Sequence, residues 1–347
     1  MKKVKALCIG VSIALGVAFA PNLTFANVQA PTATVQVQAA TAKTYTVDSS
    51  QGNNGLKNAL AKAKSGDTIE INGAIKSVEV TVPAGVTIKG INGGKVDFSP
   101  SASGKRGFTV KTDNVTIQDL QIYNAKDNGI YMEGSHNNLT NLNVHDNGDA
   151  GVQLSNGASY DTLTKVHSHH NVDKPTNGEN ADGFAIKLHS GEGIVLDRCV
   201  SNDNSDDGYD CYATHGAITF KNCQANNNGE CYGVKGDGNG FKLGGVDNKT
   251  PGVAAHLDPN NHVLTGCSAV GNSASGFDRN NQMGVVTMTN CTADSNGKNN
   301  FNWPAKGTPS ALGYQVTFGK AKIVSCTSKN GTNNISGATL SGNCIGF

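Results

Sequence analysis

At 347 residues, with 43 glycines and only 16% charged side chains, the chain suits many short strands joined by tight turns and does not suit a helical bundle. It exceeds the usual single-domain length, which repeat proteins reach without a second core. The formal charge is +1, or −2 once three N-terminal lysines are removed, which gives no support to nucleic-acid or membrane-surface binding.

Residues 1–26 read as a secretory signal. Lys2, Lys3 and Lys5 precede an apolar run over 6–20, and Thr24-Phe25-Ala26 offers a small-x-small cleavage site. The run is too short to span a bilayer, so an extracellular protein is expected. Residues 27–43, rich in Ala, Thr, Val and Gln, read as a flexible lead-in, and a single domain is expected over 44–347. Its first strand falls at 44–47. Leu56, Ala59, Leu60 and Ala63 then recur at helical spacing over about 55–64, ahead of Gly66. A short amphipathic helix here would cover the open end of a solenoid.

From Val115 a repeat is legible. Segments starting at Leu120, Leu142, Val166, Cys199, Cys223, Cys267, Cys291 and Cys326 superpose, with starts separated by 22, 24, 33, 24, 44, 24 and 35 residues. A basal period of 22–24 is one coil of a parallel β-helix. A second register runs in phase with it: Gly129-Ile130, Gly151-Val152, Gly183-Phe184, Gly208-Tyr209, Gly240-Phe241, Gly276-Phe277 and Gly313-Tyr314. The residue after each Gly is large and apolar, as an inward, stacked side chain requires. The fold class expected is therefore all-β, a parallel β-helix with an N-terminal capping helix. Cys199, Cys223, Cys267, Cys291 and Cys326 share one inward position and read as a buried thiol ladder. Cys211, Cys231 and Cys344 lie outside it, and a Cys211–Cys231 bridge stays open. The Asn runs that close each segment read as side-chain amide ladders.

The chemistry concentrates in 182–245. Three patterns, Asp182-Gly183-Phe184-Ala185, Asp207-Gly208-Tyr209-Asp210 and Asn239-Gly240-Phe241-Lys242, would occupy equivalent strands of successive coils. Asp182 then lies over Asp207 and Asn239, while Ala185, Asp210 and Lys242 form an outward column. Coils stack about 4.8 Å apart, so Asp182, Asp206, Asp207 and Asp210 would repel strongly without a cation among them. An oxygen-only set suits Ca²⁺ better than Mg²⁺; the plainer alternative is a solvated acidic edge of Asp-Gly turns. Lys242 is either an ion-pair partner or a general base, for which its ordinary pKa of about 10.4 must be lowered or the reaction run at alkaline pH. Lys187 and Arg279 could grip an anionic substrate, and Asp278 continues the outward column.

The segments 180–185, 204–210 and 238–245 closely resemble the motifs of the ninth family of polysaccharide lyases, secreted pectate lyases built on a right-handed parallel β-helix. The resemblance covers about 115–289. It implies a right-handed solenoid with Asp182, Asp206, Asp207 and Asp210 as Ca²⁺ ligands and Lys242 as the Brønsted base. It implies β-elimination on polygalacturonate, an acidic plant cell-wall polysaccharide; a monomer without nucleic-acid or membrane partners is expected. Loops around 171–179 and 247–261 would wall the cleft. Two rivals remain. A polygalacturonase-like hydrolase would use Asp182, Asp206 and Asp207 with His215 nearby and would not need Lys242. A non-catalytic carbohydrate-binding β-helix would use Ca²⁺ only for stability.

Overall fold

A computed structural model describes residues 41–347. The expected signal segment and most of the lead-in lie outside the described residues. The chain winds into a parallel β-helix whose strands form one 17-stranded and one 10-stranded sheet, with a small antiparallel pair, Lys306–Gly307 with Val316–Thr317, beside them. In the early coils the larger sheet carries unbroken strands, Thr116–Tyr123, Asn138–His145 and Thr162–His169; later coils break them in two, as in Val195–Asp197 and Val200–Asn202. The bend falls at one level throughout. Asp119, Asn141, Lys165, Arg198, Asn222 and Asn290 stack there with φ between 53° and 57°, in the left-handed region that Asn and Asp tolerate best.

The smaller sheet carries the site. Its strands include Ile130–Met132, Val152–Leu154, Phe184–Ile186, Tyr209–Asp210, Phe241–Lys242, Phe277–Asp278 and Asn299–Asn302. Their inward residues stack in register: ring centroids stand 4.9 Å apart for Phe184–Tyr209, 4.5 Å for Tyr209–Phe241, 4.9 Å for Phe241–Phe277 and 5.0 Å for Phe277–Phe301. These spacings match the strand repeat, so one register satisfies both the backbone ladder and the ring stack.

An amide ladder explains the Gly column. Asn147, Asn171, Asn204, Asn228, Asn272, Asn296 and Asn300 are buried, and each Nδ2 donates to the next residue's Oδ1 at 2.8–2.9 Å. A Cβ placed on Gly129, Gly151, Gly208, Gly240 or Gly276 would stand only 2.7–2.9 Å from one of these Nδ2 atoms. The ladder therefore demands glycine opposite it, which is why the two sequence periods run in phase. The thiol column lies as expected: Cys199, Cys223, Cys267, Cys291 and Cys326 are buried.

Three details differ from the sequence expectations. The capping helix spans Gly55–Leu60 rather than reaching 64. Asp67 accepts from the backbone N–H groups of Lys64 and Lys43 at 2.9 and 2.7 Å, which draws the chain out of helical geometry; Leu56 and Leu60 still bury into the core. Gly313-Tyr314 is not a strand of the stack, since Tyr314 is exposed. The position is filled by Asn300-Phe301, where Asn300 closes the amide ladder with its own side chain and so hides the Gly signal. No bridge joins Cys211 and Cys231: every cysteine among the described residues is a free thiol.

Candidate active site

The expected register holds on the outward face. Ala185 pairs with Asp210, Asp210 with Lys242 and Lys242 with Asp278. Three residues upstream, the column Asp182, Asp207 and Asn239 is tied by backbone amides. Asp182 Oδ1 accepts from the N–H of Asp207 at 3.2 Å, and Asp207 Oδ1 from the N–H and Nδ2 of Asn239 at 2.6 and 2.9 Å. Each carboxylate is thus oriented by the coil after it.

Asp182, Asp206 and Asp207 are buried, and one oxygen from each lies within 4.8 Å of the others. Asp206 Oδ1 accepts from the N–H of Asp237 at 2.8 Å. Gly236 is needed above it, because a Cβ there would stand 2.8 Å from that oxygen. Asp210 is not one of the three converging residues. Its Oδ2 faces Lys187 Nζ at 3.1 Å and its Oδ1 accepts from the N–H of Tyr212 at 3.0 Å.

Lys187 reaches over the small Ala185 to Asp182, with Nζ 2.7 Å from Oδ2. Buried between two carboxylates, it is not free to grip a substrate, contrary to the sequence expectation. Arg279 departs further. It is fully buried, donates to the carbonyls of Gln282, Gly319 and Gly337, and packs over the Trp303 and Phe318 rings. It ties three backbone segments together and does not face the cleft. Asp278 does lie on the outward face, where it accepts from Asn280 and Asn302 at 2.7 Å each. His215 does not join the aspartates as a hydrolytic set would require; it faces Asp247 and Asp258.

Lys242 stands with Nζ 3.0 Å from Asp207 Oδ2 and 3.0 Å from Asp237 Oδ2, its side chain 15% exposed. Asp237 was missed from sequence; Gly236-Asp237-Gly238 lies just ahead of the third repeat and is the signal that could have found it. Asp207 Oδ2 touches the ammonium yet receives no hydrogen bond of good direction.

The electrostatics follow from burial. Desolvation, reinforced by Asp207 and Asp182, pushes Asp206 up to about 10, and desolvation pushes Asp207 up to about 6 against the pull of Lys242. Asp182 is likewise raised, by burial and by Asp210 and Asp207. Asp210 is lowered, because Lys242 and Lys187 together outweigh its desolvation. Lys242 is held well above its ordinary value: Asp207, Asp210, Asp206 and Asp182 overcome the effect of burial. Five carboxylates, Asp182, Asp206, Asp207, Asp210 and Asp237, face two ammoniums, and a divalent cation would offset most of the negative charge left over when all are ionised. Three converging carboxylates, an oxygen left without a hydrogen bond and an absence of nitrogen or sulfur donors suit a hard cation such as Ca²⁺.

A family model described as "Pel9A-like, right handed beta helix region" matches residues 35–335. Pectate lyase L of Paenibacillus polymyxa (strain SC2) is 34% identical over 278 residues, covering 71% of this chain and 60% of that protein. Pectate lyase L of Dickeya dadantii (strain 3937) is 34% identical over 264 residues, covering 74% of this chain and 56% of that protein. The chain thus spans 60% or less of the length of these two relatives. Among solved structures, pectate lyase Pel9A superposes with a TM-score of 0.69 at 28% identity, covering 86% of this chain and 79% of that one. A rhamnogalacturonan lyase, at 20% identity and a TM-score of 0.71 over 86% of this chain and 84% of its own, shares the fold.

Proposed function

The chain belongs to the Pel9A-like, family nine pectate lyase group of right-handed β-helix proteins, and on that premise we propose that it is a secreted pectate lyase. It would cleave α-1,4-galacturonan by β-elimination, with Ca²⁺ as cofactor and Lys242 as base.

The observation that carries this reading is the position of Lys242. It is the one amine of the outward column Ala185–Asp210–Lys242–Asp278, beside the carboxylate cluster and partly open to solvent. Asp182, Asp206 and Asp207 would hold the metal, with Asp210 beside them. Bound there, Ca²⁺ would supply positive charge that engages a uronate carboxylate, acidifies its C5 proton and cancels the field holding Lys242 protonated. Neutral Lys242 Nζ then takes the C5 proton. The C5 electrons form the C4–C5 double bond, the C4–O bond breaks, and the departing oxygen takes a proton from water. Asp207 and Asp237 position the amine from two sides. Lys187 fixes Asp182 and Asp210 so that they do not splay apart. The loop over 171–181 and the turn over 229–238 pack against each other at Gly178 and Gly236, roofing Asp206; with the 245–262 loop they would wall the cleft.

The test is incubation of the mature protein with polygalacturonate in Ca²⁺ and in excess chelator, following the ultraviolet absorbance of the unsaturated product. A Ca²⁺-dependent rise is expected. New reducing ends without that absorbance would replace elimination by hydrolysis, and no turnover would leave a binding protein.

A further inference from the structure

A second group of ligating side chains lies outside the carboxylate site. His215 comes from the turn after the Tyr209–Asp210 strand, while Asp247, His256 and Asp258 come from the 245–262 loop. One ligand atom from each lies within 4.8 Å of the others. Both rings aim Nε2 at the same two oxygens. His215 Nε2 is 3.1 Å from Asp247 Oδ2 and 3.7 Å from Asp258 Oδ2; His256 Nε2 is 3.9 and 3.6 Å from them.

The tautomer of His256 makes this arrangement informative. Its Nδ1 lies 3.0 Å from the carbonyl of Ala254, which only accepts, so Nδ1 carries the proton. In the neutral ring Nε2 then turns a lone pair toward two carboxylates, at separations too long for hydrogen bonds. Such a convergence repels unless Nε2 takes a proton or a cation sits inside it. Ligands about 2.0–2.1 Å from a tetrahedral ion stand roughly 3.3 Å from one another, and the four measured separations bracket that edge. The supports are those of a metal shell. A backbone carbonyl orients the imidazole, and Asp247, fully buried, is pinned by the N–H groups of Lys249 and Thr250 at 2.8 and 3.2 Å and by the Thr250 hydroxyl at 2.6 Å. His189 stands behind it, 3.3 Å from Asp247 Oδ2.

We propose that His215, Asp247, His256 and Asp258 form a second metal site, for a borderline transition-metal cation of the Zn²⁺ type, that fastens the 245–262 loop to the solenoid. Two imidazoles and two carboxylates favour such an ion over Ca²⁺, which takes oxygen ligands. The loop's own pairing is slight: Asp247 and His256 exchange backbone hydrogen bonds at 2.9 and 3.0 Å as an isolated bridge. A cation there would clamp both loop ends to His215 on the coil below. The assignment does not depend on the lyase reading.

The experiment is Zn²⁺ titration of the chelator-stripped full-length mature protein by calorimetry, in saturating Ca²⁺ so that the carboxylate site is occupied. Co²⁺ serves as an optical probe of ligand geometry. Stoichiometric Zn²⁺ binding is expected, weakened at least about tenfold by His256→Ala and by His215→Ala and unchanged by Asp206→Ala. Both rings are partly exposed, and circular dichroism checks that the variants fold. Absence of stoichiometric binding, or binding that survives both histidine substitutions, would overturn the site and leave a plain His–Asp hydrogen-bond network.

Discussion

Two stretches of the same sheet share one backbone and differ in what they can do. In the coils at Ile130–Met132 and Val152–Leu154 the outward residues are Tyr131 and Gln153; in the next four coils they are Ala185, Asp210, Lys242 and Asp278. Register and amide ladder run through both without interruption. The solenoid therefore fixes where side chains stand, about 4.8 Å apart, and leaves their identity free. On the proposed function the chemistry falls to a few outward positions, and the interior columns keep them within reach of one another.

The widest separation between the two stretches is expected from Asp207→Ala against Gln153→Ala. Asp207 lies in the converging set and beside Lys242. Its loss should lower turnover about 10²-fold or more and shift the Ca²⁺ requirement upward, whereas Gln153→Ala should leave both within about twofold. Steady-state rates across a Ca²⁺ series check this. Interior substitutions should act alike in either stretch. Phe241→Ala removes a ring stacked on both sides and should cost about 3–5 kcal/mol in denaturant unfolding. Asn228→Ala breaks two rungs of the ladder and should cost about 1–3 kcal/mol.

Metal removal sharpens the contrast through pH. Burial, helped by Asp207 and Asp182, pushes Asp206 up to about 10, and burial, helped by Asp210 and Asp237 against Lys242, pushes Asp207 up to about 6, both above the ordinary 3.8. A carboxyl raised in the folded state contributes stability that is fully present below about 4 and is lost as pH rises through its folded value. In chelator the melting temperature should therefore fall from pH 4 past 6 and onward toward 10, and saturating Ca²⁺ should remove the part of that fall due to Asp206 and Asp207. The part due to Asp149 and Asp161, which burial pushes up to about 6 and about 7, should stay. By the same linkage, apparent Ca²⁺ affinity should rise with pH across this window.

The outward column was legible in sequence because Asp-Gly-aromatic and Asn-Gly-aromatic patterns mark equivalent strand positions, and pairing by position alone placed Asp182, Asp207 and Asn239 together. What escaped the reading depends on reach and on loops. Lys187 shares the outward face by alternation, yet its long side chain bends back onto Asp182 and Asp210 instead of projecting into the cleft. Arg279 follows an outward aspartate, but the chain leaves the strand after Asp278 and turns the guanidinium inward onto three carbonyls. Asp237 and the cluster of His215, Asp247, His256 and Asp258 lie in connections that carry no period, so no repeat could align them. Gly313-Tyr314 matched a two-residue signal without the amide ladder opposite it, and the ladder is what makes that glycine necessary.

The central claim is that Lys242 takes the proton, and the most direct measurement is turnover of polygalacturonate by Lys242→Ala alongside calorimetric Ca²⁺ binding to the same variant. The account predicts a rate loss of about 10²–10⁴-fold with Ca²⁺ still bound and the fold unchanged by circular dichroism. Product formation within a few-fold of the parent chain, at saturating Ca²⁺, would contradict it and move the base to another residue.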